Sequence, residues 1–237
     1  MAQRPLNETF DSISFAGCAW LITYHLGVAQ ALKESLDTTS MKFLGASSGA
    51  LTALMLAAEI DLHDALDFAC AMATDSRKRL LGPVGRMHKY VTAGLTELLP
   101  EDAYRKVFGR MLVSVTELPL MRNRILPEVA PESNRELIGI ILASSYIPLY
   151  YERPALLNGR AYIDGGVTDN CPRLDDRTII VSPKSAFYRK GKATIGPEVE
   201  PRFMHAFFPE AKAMKELFDQ GRRDWESFME TPWAKAS

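Results

Sequence analysis

Residues 41–44, Met-Lys-Phe-Leu, are a short strand-forming run, and residues 50–60 are rich in helix formers; between them lies Gly45-Ala46-Ser47-Ser48-Gly49. A strand that turns into a helix within five residues has few solutions. The reversal crowds the backbone, so positions two before and two after its tip must lack a Cβ, and Gly45 and Gly49 meet that demand. In a G-x-S-x-G pattern set between strand and helix, Ser47 and not Ser48 stands at the tip, and the following helix directs its partial positive charge at that hydroxyl. A plain turn with a helix cap uses the same small residues. A phosphate-binding loop needs a Lys-Ser or Lys-Thr pair at the end of its glycine run, and none stands here.

The rest of the chain alternates in the same manner. Residues 13–15 read as a strand, Ala16-Gly17-Cys18-Ala19 as a tight loop, and residues 20–34 as a helix with Leu21, His25, Val28 and Leu32 on one face. Asp61 is placed to cap a helix running to about residue 73, with Leu62, Leu66 and Ala69 inward. Residues 75–100, broken by Gly82-Pro83 and Gly85, read as a loop with helical pieces. Residues 111–116 and 124–126 form a hairpin turning near Arg122-Asn123, and 134–144 form a helix that stops before Pro148. Residues 161–163 are a strand running into Asp164-Gly165-Gly166, residues 178–181 another, and 209–230 an amphipathic helix with an interruption expected at Gly221. The sum is an α/β fold with a largely parallel central sheet flanked by helices. Without repeats or linkers, the 237 residues read as one domain: a core over 1–200 and a helical segment over 201–237 packed on it.

Composition narrows the function. Hydrophobic residues at 47% and charged residues at 24% exclude disordered and disulfide-stapled classes, and 28 Lys and Arg against 29 Asp and Glu give no basic field to hold nucleic acid. Cys18, Cys70 and Cys171 are scattered and form no C-x-x-C pair, so no metal site is expected and a reducing, cytoplasmic setting fits. Residues 1–8 lack the order of a secretory signal, and no run approaches the ~18 apolar residues of a membrane span. Membrane or lipid-droplet contact would be peripheral. The cluster Arg77, Lys78, Arg79, Arg86 and Lys89, interleaved with Leu80, Leu81, Val84 and Met87, is either a solvated face or a dock for anionic headgroups.

A serine nucleophile needs a base and an oxyanion hole. The small residues of the 16–19 loop let the N–H groups of Gly17, Cys18 and Ala19 converge. Of His25, His63, His88 and His205, only His205 completes the chain order Ser, Asp, His of an α/β-hydrolase triad, and no loop signal surrounds it. Asp164 is better placed, at a strand end before Gly165-Gly166, where the backbone approaches a site closely; an ordinary Asx turn has the same appearance.

These residues resemble the patatin-like phospholipases, in particular the short adiponutrin and adipose triglyceride lipase branch. The resemblance rests on residues 13–18 with Tyr24-His25-x-Gly27-Val28, on Gly45-Ala46-Ser47-Ser48-Gly49, on Ala143-Ser144-Ser145-Tyr146-Ile147-Pro148 and on Asp164-Gly165-Gly166-Val167-x-Asp169-Asn170-x-Pro172, with a last echo in Phe207-Phe208-Pro209 and Gln220-Gly221-x-x-Asp224. It implies the three-layer patatin fold and a Ser-Asp dyad without histidine: Ser47 as nucleophile, Asp164 as proton acceptor, and the backbone of Gly17, Cys18 and Ala19 as oxyanion hole. It also implies hydrolysis of phospholipid or acylglycerol esters through an acyl-enzyme, with no cofactor. Departures from the family pattern are Ala16, Ala19 where a glycine is usual, and Ser48 for alanine. Ala19 keeps a second reading alive, a weak or inactive lipid-binding protein, and a lipid transacylase shares the first half-reaction.

Overall fold

The computed structural model describes residues 10–184 and 194–235; the amino-terminal residues read against a secretory signal lie outside them. Strand β1 (Ser12–Phe15) leads through a one-turn 3-10 helix at Ala19–Leu21 into α1 (Ile22–Ser35), and β2 (Lys42–Ala46) leads directly into α2 (Ser48–Ala57). Then follow α3 (Leu62–Ser76), α4 (Met87–Leu98), the short α5 (Ala103–Lys106), β3 (Met111–Glu117), β4 (Arg122–Leu126) and α6 (Asn134–Ser145). The described chain closes with β5 (Ala155–Leu157), β6 (Arg160–Asp164), β7 (Ile179–Val181), β8 (Thr194–Ile195), and helices α7 (Met204–Phe207), α8 (Ala211–Met229) and α9 (Pro232–Lys235).

The described strands form one eight-stranded sheet in the order β5-β6-β3-β2-β1-β7-β8, with β4 also on β3. The five strands β3-β2-β1-β7-β8 are parallel, while β4, β5 and β6 enter antiparallel. The parallel strands are buried on both faces because helices flank the sheet: Ile13, Phe15, Phe43, Val113, Ile179 and Val181 are all fully buried, and so are the small polar Ser12, Ser14 and Ser114 among them. The β5-β6 hairpin has a local cause. Asn158 and Gly159 both adopt positive φ, 50° and 75°, the two-residue turn that suits tight hairpins, and it folds β6 back on β5.

Several expectations hold and some change. Asp61 caps α3, accepting from the N–H groups of His63 and Asp64 at 2.8 and 3.1 Å. Residues 87–98 are not helical pieces in a loop but one helix, α4, whose Tyr90, Val91, Gly94 and Leu95 share a buried stripe; only the stretch before it is loop. The β3-β4 turn lies earlier than Arg122-Asn123, which belong to β4 and pair with Glu117 and Thr116. Gly221 does not interrupt α8. A Cβ there would stand 2.1 Å from the carbonyl oxygen of Tyr24, and one on Gly27 1.9 Å from that of Phe218, so the two glycines let α1 and α8 cross backbone to backbone.

Candidate active site

Parallel pairing of Phe15 with Gly45 brings the loops that leave β1 and β2 to the same edge of the sheet, where α/β folds hold their ligands. On that edge Ser47 takes φ 55° and ψ −124°, a strained conformation that thrusts its side chain out of the turn. The glycines explain how so sharp a turn packs. A Cβ on Gly45 would meet the Gly49 carbonyl carbon at 2.3 Å, and one on Gly49 would meet the Phe15 oxygen at 1.9 Å, so turn, helix and β1 touch through bare backbone. Ser144 on α6 fastens the turn, accepting from the Ser47 N–H at 2.8 Å and donating to the Ser114 carbonyl of β3 at 2.7 Å.

Asp164 comes from the other side. Ala46 pairs with Ser114 across β2 and β3, and Val115 pairs with Asp164 across β3 and β6. Ser47 and Asp164 therefore stand level on either side of β3, their backbones about 10 Å apart by strand spacing, within reach of facing side chains. The Asp164 carboxylate accepts from the Gly166 N–H at 2.7 Å, and a Cβ on Gly165 would meet the Ser114 oxygen at 1.9 Å, so the chain after Asp164 lies flat on β3. Burial pushes the Asp164 carboxyl up from 3.8 to about 6; the Ser47 hydroxyl as hydrogen-bonding neighbour, and then the Gly166 N–H, hold it down.

The 16–19 loop faces the same space, with its N–H groups unequally engaged. Gly17 N–H donates to Asn170 Oδ1 at 3.0 Å, and Asn170 Nδ2 returns a bond to the Gly17 carbonyl at 3.3 Å. Cys18 N–H donates to Ser48 Oγ at 2.8 Å. Among the described residues no hydrogen bond engages the Ala19 N–H, and Ala19 sits at φ 52°, a left-handed conformation that favours glycine. Cys18 is a buried thiol pushed up to about 12 by desolvation, and His25 beside it is driven down to about 3 by burial, so both stay neutral. Among the described residues no histidine hydrogen-bonds to Ser47 or Asp164, and His205 lies on α7, a separate short helix. Ser144 and Asn170 escaped as individual residues because nothing in their spacing announces a role; both lie within stretches that carried the resemblance.

A cavity of about 110 Å³ opens onto Ser47 and Ser48. Apart from serines and the rings of Trp20, Tyr90, Tyr150 and Tyr151 it is lined by apolar side chains of α1 to α4 and the segment after α6, among them Leu51, Met55, Phe68 and Leu95. Its walls suit a hydrocarbon chain and offer no charge. Among the described residues no cluster of His, Cys, Asp and Glu has the make-up of a metal site.

Fold and turn together define an α/β protein of the nucleophile-elbow class, with a serine on a strained strand-to-helix turn beside a buried carboxylate. Residues 13–175 match the family described as patatin-like phospholipase. The chain belongs to that family. It is 33% identical to patatin-like phospholipase domain-containing protein 2 of Bos taurus over 94% of this chain and 50% of that one. Mouse 1-acylglycerol-3-phosphate O-acyltransferase Pnpla3 is 32% identical over 92% of this chain and 59% of its own, and human patatin-like phospholipase domain-containing protein 4 is 31% identical over 79% and 75%. The chain spans about half the length of the first of these relatives. The fold is also that of VipD from Legionella pneumophila, with a TM-score of 0.53 at 13% identity over 93% of this chain and 67% of VipD.

Proposed function

We propose that the protein is a serine-dependent lipid acyl hydrolase that cleaves carboxylic esters of phospholipids or acylglycerols through Ser47 and Asp164. The observation that carries this reading is the pairing of a strained serine with a buried carboxylate raised to about 6, at the mouth of an apolar cavity. A carboxylate in that range is a stronger base than an ordinary aspartate yet still largely ionised at neutral pH.

In the proposed cycle Ser47 Oγ attacks the acyl carbonyl carbon while its proton passes to Asp164. The carbonyl electrons move onto oxygen, where N–H groups of the 17–19 loop and the positive end of α2 stabilise the charge. As the tetrahedral intermediate collapses, the ester C–O bond breaks and the leaving alcohol takes the proton from Asp164. Water then gives a proton to Asp164 and attacks the acyl-enzyme; Ser47 recovers that proton as the fatty acid departs. Of the three loop donors only the Ala19 N–H is unengaged, so in this scheme the Gly17 and Cys18 N–H groups exchange Asn170 and Ser48 for the developing oxyanion.

A transacylase reading is favoured by one finding: relatives include an acylglycerol-phosphate acyltransferase and a human omega-hydroxyceramide transacylase. A lipid alcohol then replaces water in the second half. Incubation with a fluorophosphonate and mass analysis of the peptides tests the common first half. An adduct on Ser47, abolished in Asp164→Asn, supports the dyad, while an unlabelled Ser47 in folded protein refutes catalysis by it. Products formed from a labelled ester with and without an added monoacylglycerol acceptor then separate hydrolysis from transfer.

A further inference from the structure

Three segments meet beside the mouth of the cavity. Tyr150 lines the cavity and ties three segments together. Its carbonyl accepts from the Gly85 N–H at 2.9 Å, its hydroxyl accepts from Trp20 Nε1 at 2.9 Å, and the same hydroxyl donates to the Phe207 carbonyl at 3.1 Å. The loop before α4, the turn after α6 and helix α7 therefore meet at one post. Gly82 lies against the Phe208 ring, and Arg77 reaches the Pro209 carbonyl at 3.5 Å, which joins the first and third segments directly.

Each of these segments holds large apolar side chains out of the protein. Leu80 is 100% exposed, Leu81 64% and Leu149 89%, and on α7 and its flanks Phe203, Met204 and Phe208 are 60%, 59% and 42% exposed. Single exposed hydrophobes are ordinary, but six on three adjoining segments around the mouth of an apolar cavity are a patch with a purpose. Among them stand the exposed cations Arg77, Lys78 and Arg79, with Arg86 half-buried at the start of α4 and Arg202 beside Phe203. The carboxylates of Asp75, which accepts from Tyr90 and pairs with Lys78 at 3.9 Å, and of Glu152, which accepts from the N–H groups of His88 and Lys89, offset only part of that positive charge. Apolar side chains that can enter an acyl layer, ringed by cations at headgroup level, are the makings of an interfacial dock.

We infer that this collar seats the protein on a lipid surface bearing anionic headgroups, with Leu80, Leu81, Leu149 and Phe203 inserted and Arg77, Lys78 and Arg79 at the phosphate level, so that the cavity opens onto the lipid. The inference rests on reading the site as one that acts on lipid esters, and it fails separately from that reading. A net charge of −1 for the whole chain supplies no overall basic field, so the attraction is local to the collar's cations.

Sedimentation with sucrose-loaded vesicles of phosphatidylcholine, with and without phosphatidylserine, is the test, using Ser47→Ala protein so that the vesicles are not consumed. The parent is expected to bind the phosphatidylserine vesicles more tightly, and less so as salt is raised. The triple variant Arg77→Gln, Lys78→Gln, Arg79→Gln should lose about tenfold or more on those vesicles and little on phosphatidylcholine alone. The triple variant Leu80→Ser, Leu149→Ser, Phe203→Ser should lose binding to both. In the background with Ser47 intact, turnover of a water-soluble short-chain ester should be unchanged by either triple. Leu80→Ser alone, at a fully exposed side chain, repeats the apolar test without disturbing packing. A parent that binds neither vesicle, or apolar variants that bind as the parent does, overturns the dock and assigns the patch to a protein partner. Absence of soluble-ester turnover with vesicle binding intact would instead overturn the catalytic reading.

Discussion

Ser47, Asp164 and Ser48 carry the sharpest consequences at the scale of single residues. The folded Asp164 titrates near 6 against an ordinary 3.8, so the native state holds that proton more tightly than the unfolded chain does. The stability it contributes is fully present below about pH 4 and is lost as pH rises towards 6, after which the ionised carboxylate is a constant cost of about 3 kcal/mol. Asp164→Asn keeps an acceptor for Gly166 and removes that cost. Thermal melts should show the variant roughly 6 to 12 °C more stable than the parent at pH 7.5 and indistinguishable at pH 4; an equal gap at both pH values would mean that burial does not perturb the carboxyl. In the parent, kcat/KM for a soluble ester should fall on the acid side with an apparent pKa near 6, since the proposed base, Asp164, must be ionised. Ser48 makes a different prediction. Its hydroxyl occupies the Cys18 N–H, so Ser48→Ala frees a donor for the oxyanion while leaving a buried N–H unpaired. Turnover should rise severalfold with KM little changed, and stability should fall by about 1 to 3 kcal/mol. A loss of turnover would mean that Ser48 positions the loop and does not compete with substrate for it.

At the scale of elements, the strand-turn-helix unit was legible because its chemistry is local: two glycines, a serine and the change of period around them suffice. The crossing of α1 and α8 was not, because its cause is tertiary. A glycine inside a helix pattern costs about 1 kcal/mol against alanine, which is why Gly221 reads as an interruption. The helix runs through it because Phe218, Trp225 and Phe228 pack against the core, and because the bare Cα atoms of Gly27 and Gly221 let the two backbones touch. Gly221→Ala therefore gains helix propensity and loses the fit. Urea unfolding should show it destabilised by about 2 to 3 kcal/mol, the cost of overpacking a close crossing, whereas a stabilised variant would show that the helices slide apart freely. The α4 stripe of Tyr90, Val91, Gly94 and Leu95 was hidden by the Gly82-Pro83-x-Gly85 stretch before it, although its spacing is helical. Its Gly94 meets Phe68 of α3 at the cavity wall, where an added Cβ would come within 2.7 Å of the ring.

For the molecule as a whole, alternation of strand and helix points to an α/β sheet, and the parallel half from β3 to β8 agrees. Of the antiparallel strands, β4 was legible as a hairpin with β3, while the β5-β6 hairpin was hidden in a two-residue turn, Asn158-Gly159, with strands of three and five residues on either side. That hairpin matters because β6 sets Asp164 level with Ser47. The expected division into a core over 1–200 and a helical segment over 201–237 also has a physical test. Helix α8 buries Met214, Phe218, Trp225 and Phe228, each 6% exposed or less, and each such side chain is worth about 1.5 to 3 kcal/mol in burial alone. Their sum rivals the ~5 to 15 kcal/mol by which a domain is stable. Polar ties add to the docking: Tyr24 donates to Asp224 at 2.7 Å, Trp225 Nε1 to Ser35 Oγ at 2.9 Å, and Arg222 pairs with Glu34 at 2.7 Å. A chain ending at residue 208 keeps Ser47, Asp164 and every described strand, yet it exposes the α1 face that α8 covers. It should show no cooperative thermal transition and no fluorophosphonate adduct on Ser47, and Trp225→Ala in the full chain should cost about 3 to 5 kcal/mol by urea unfolding. A sharp transition in the shortened chain would mean that the sheet and helices α1 to α7 form a cooperative unit by themselves, with α8 laid on afterwards.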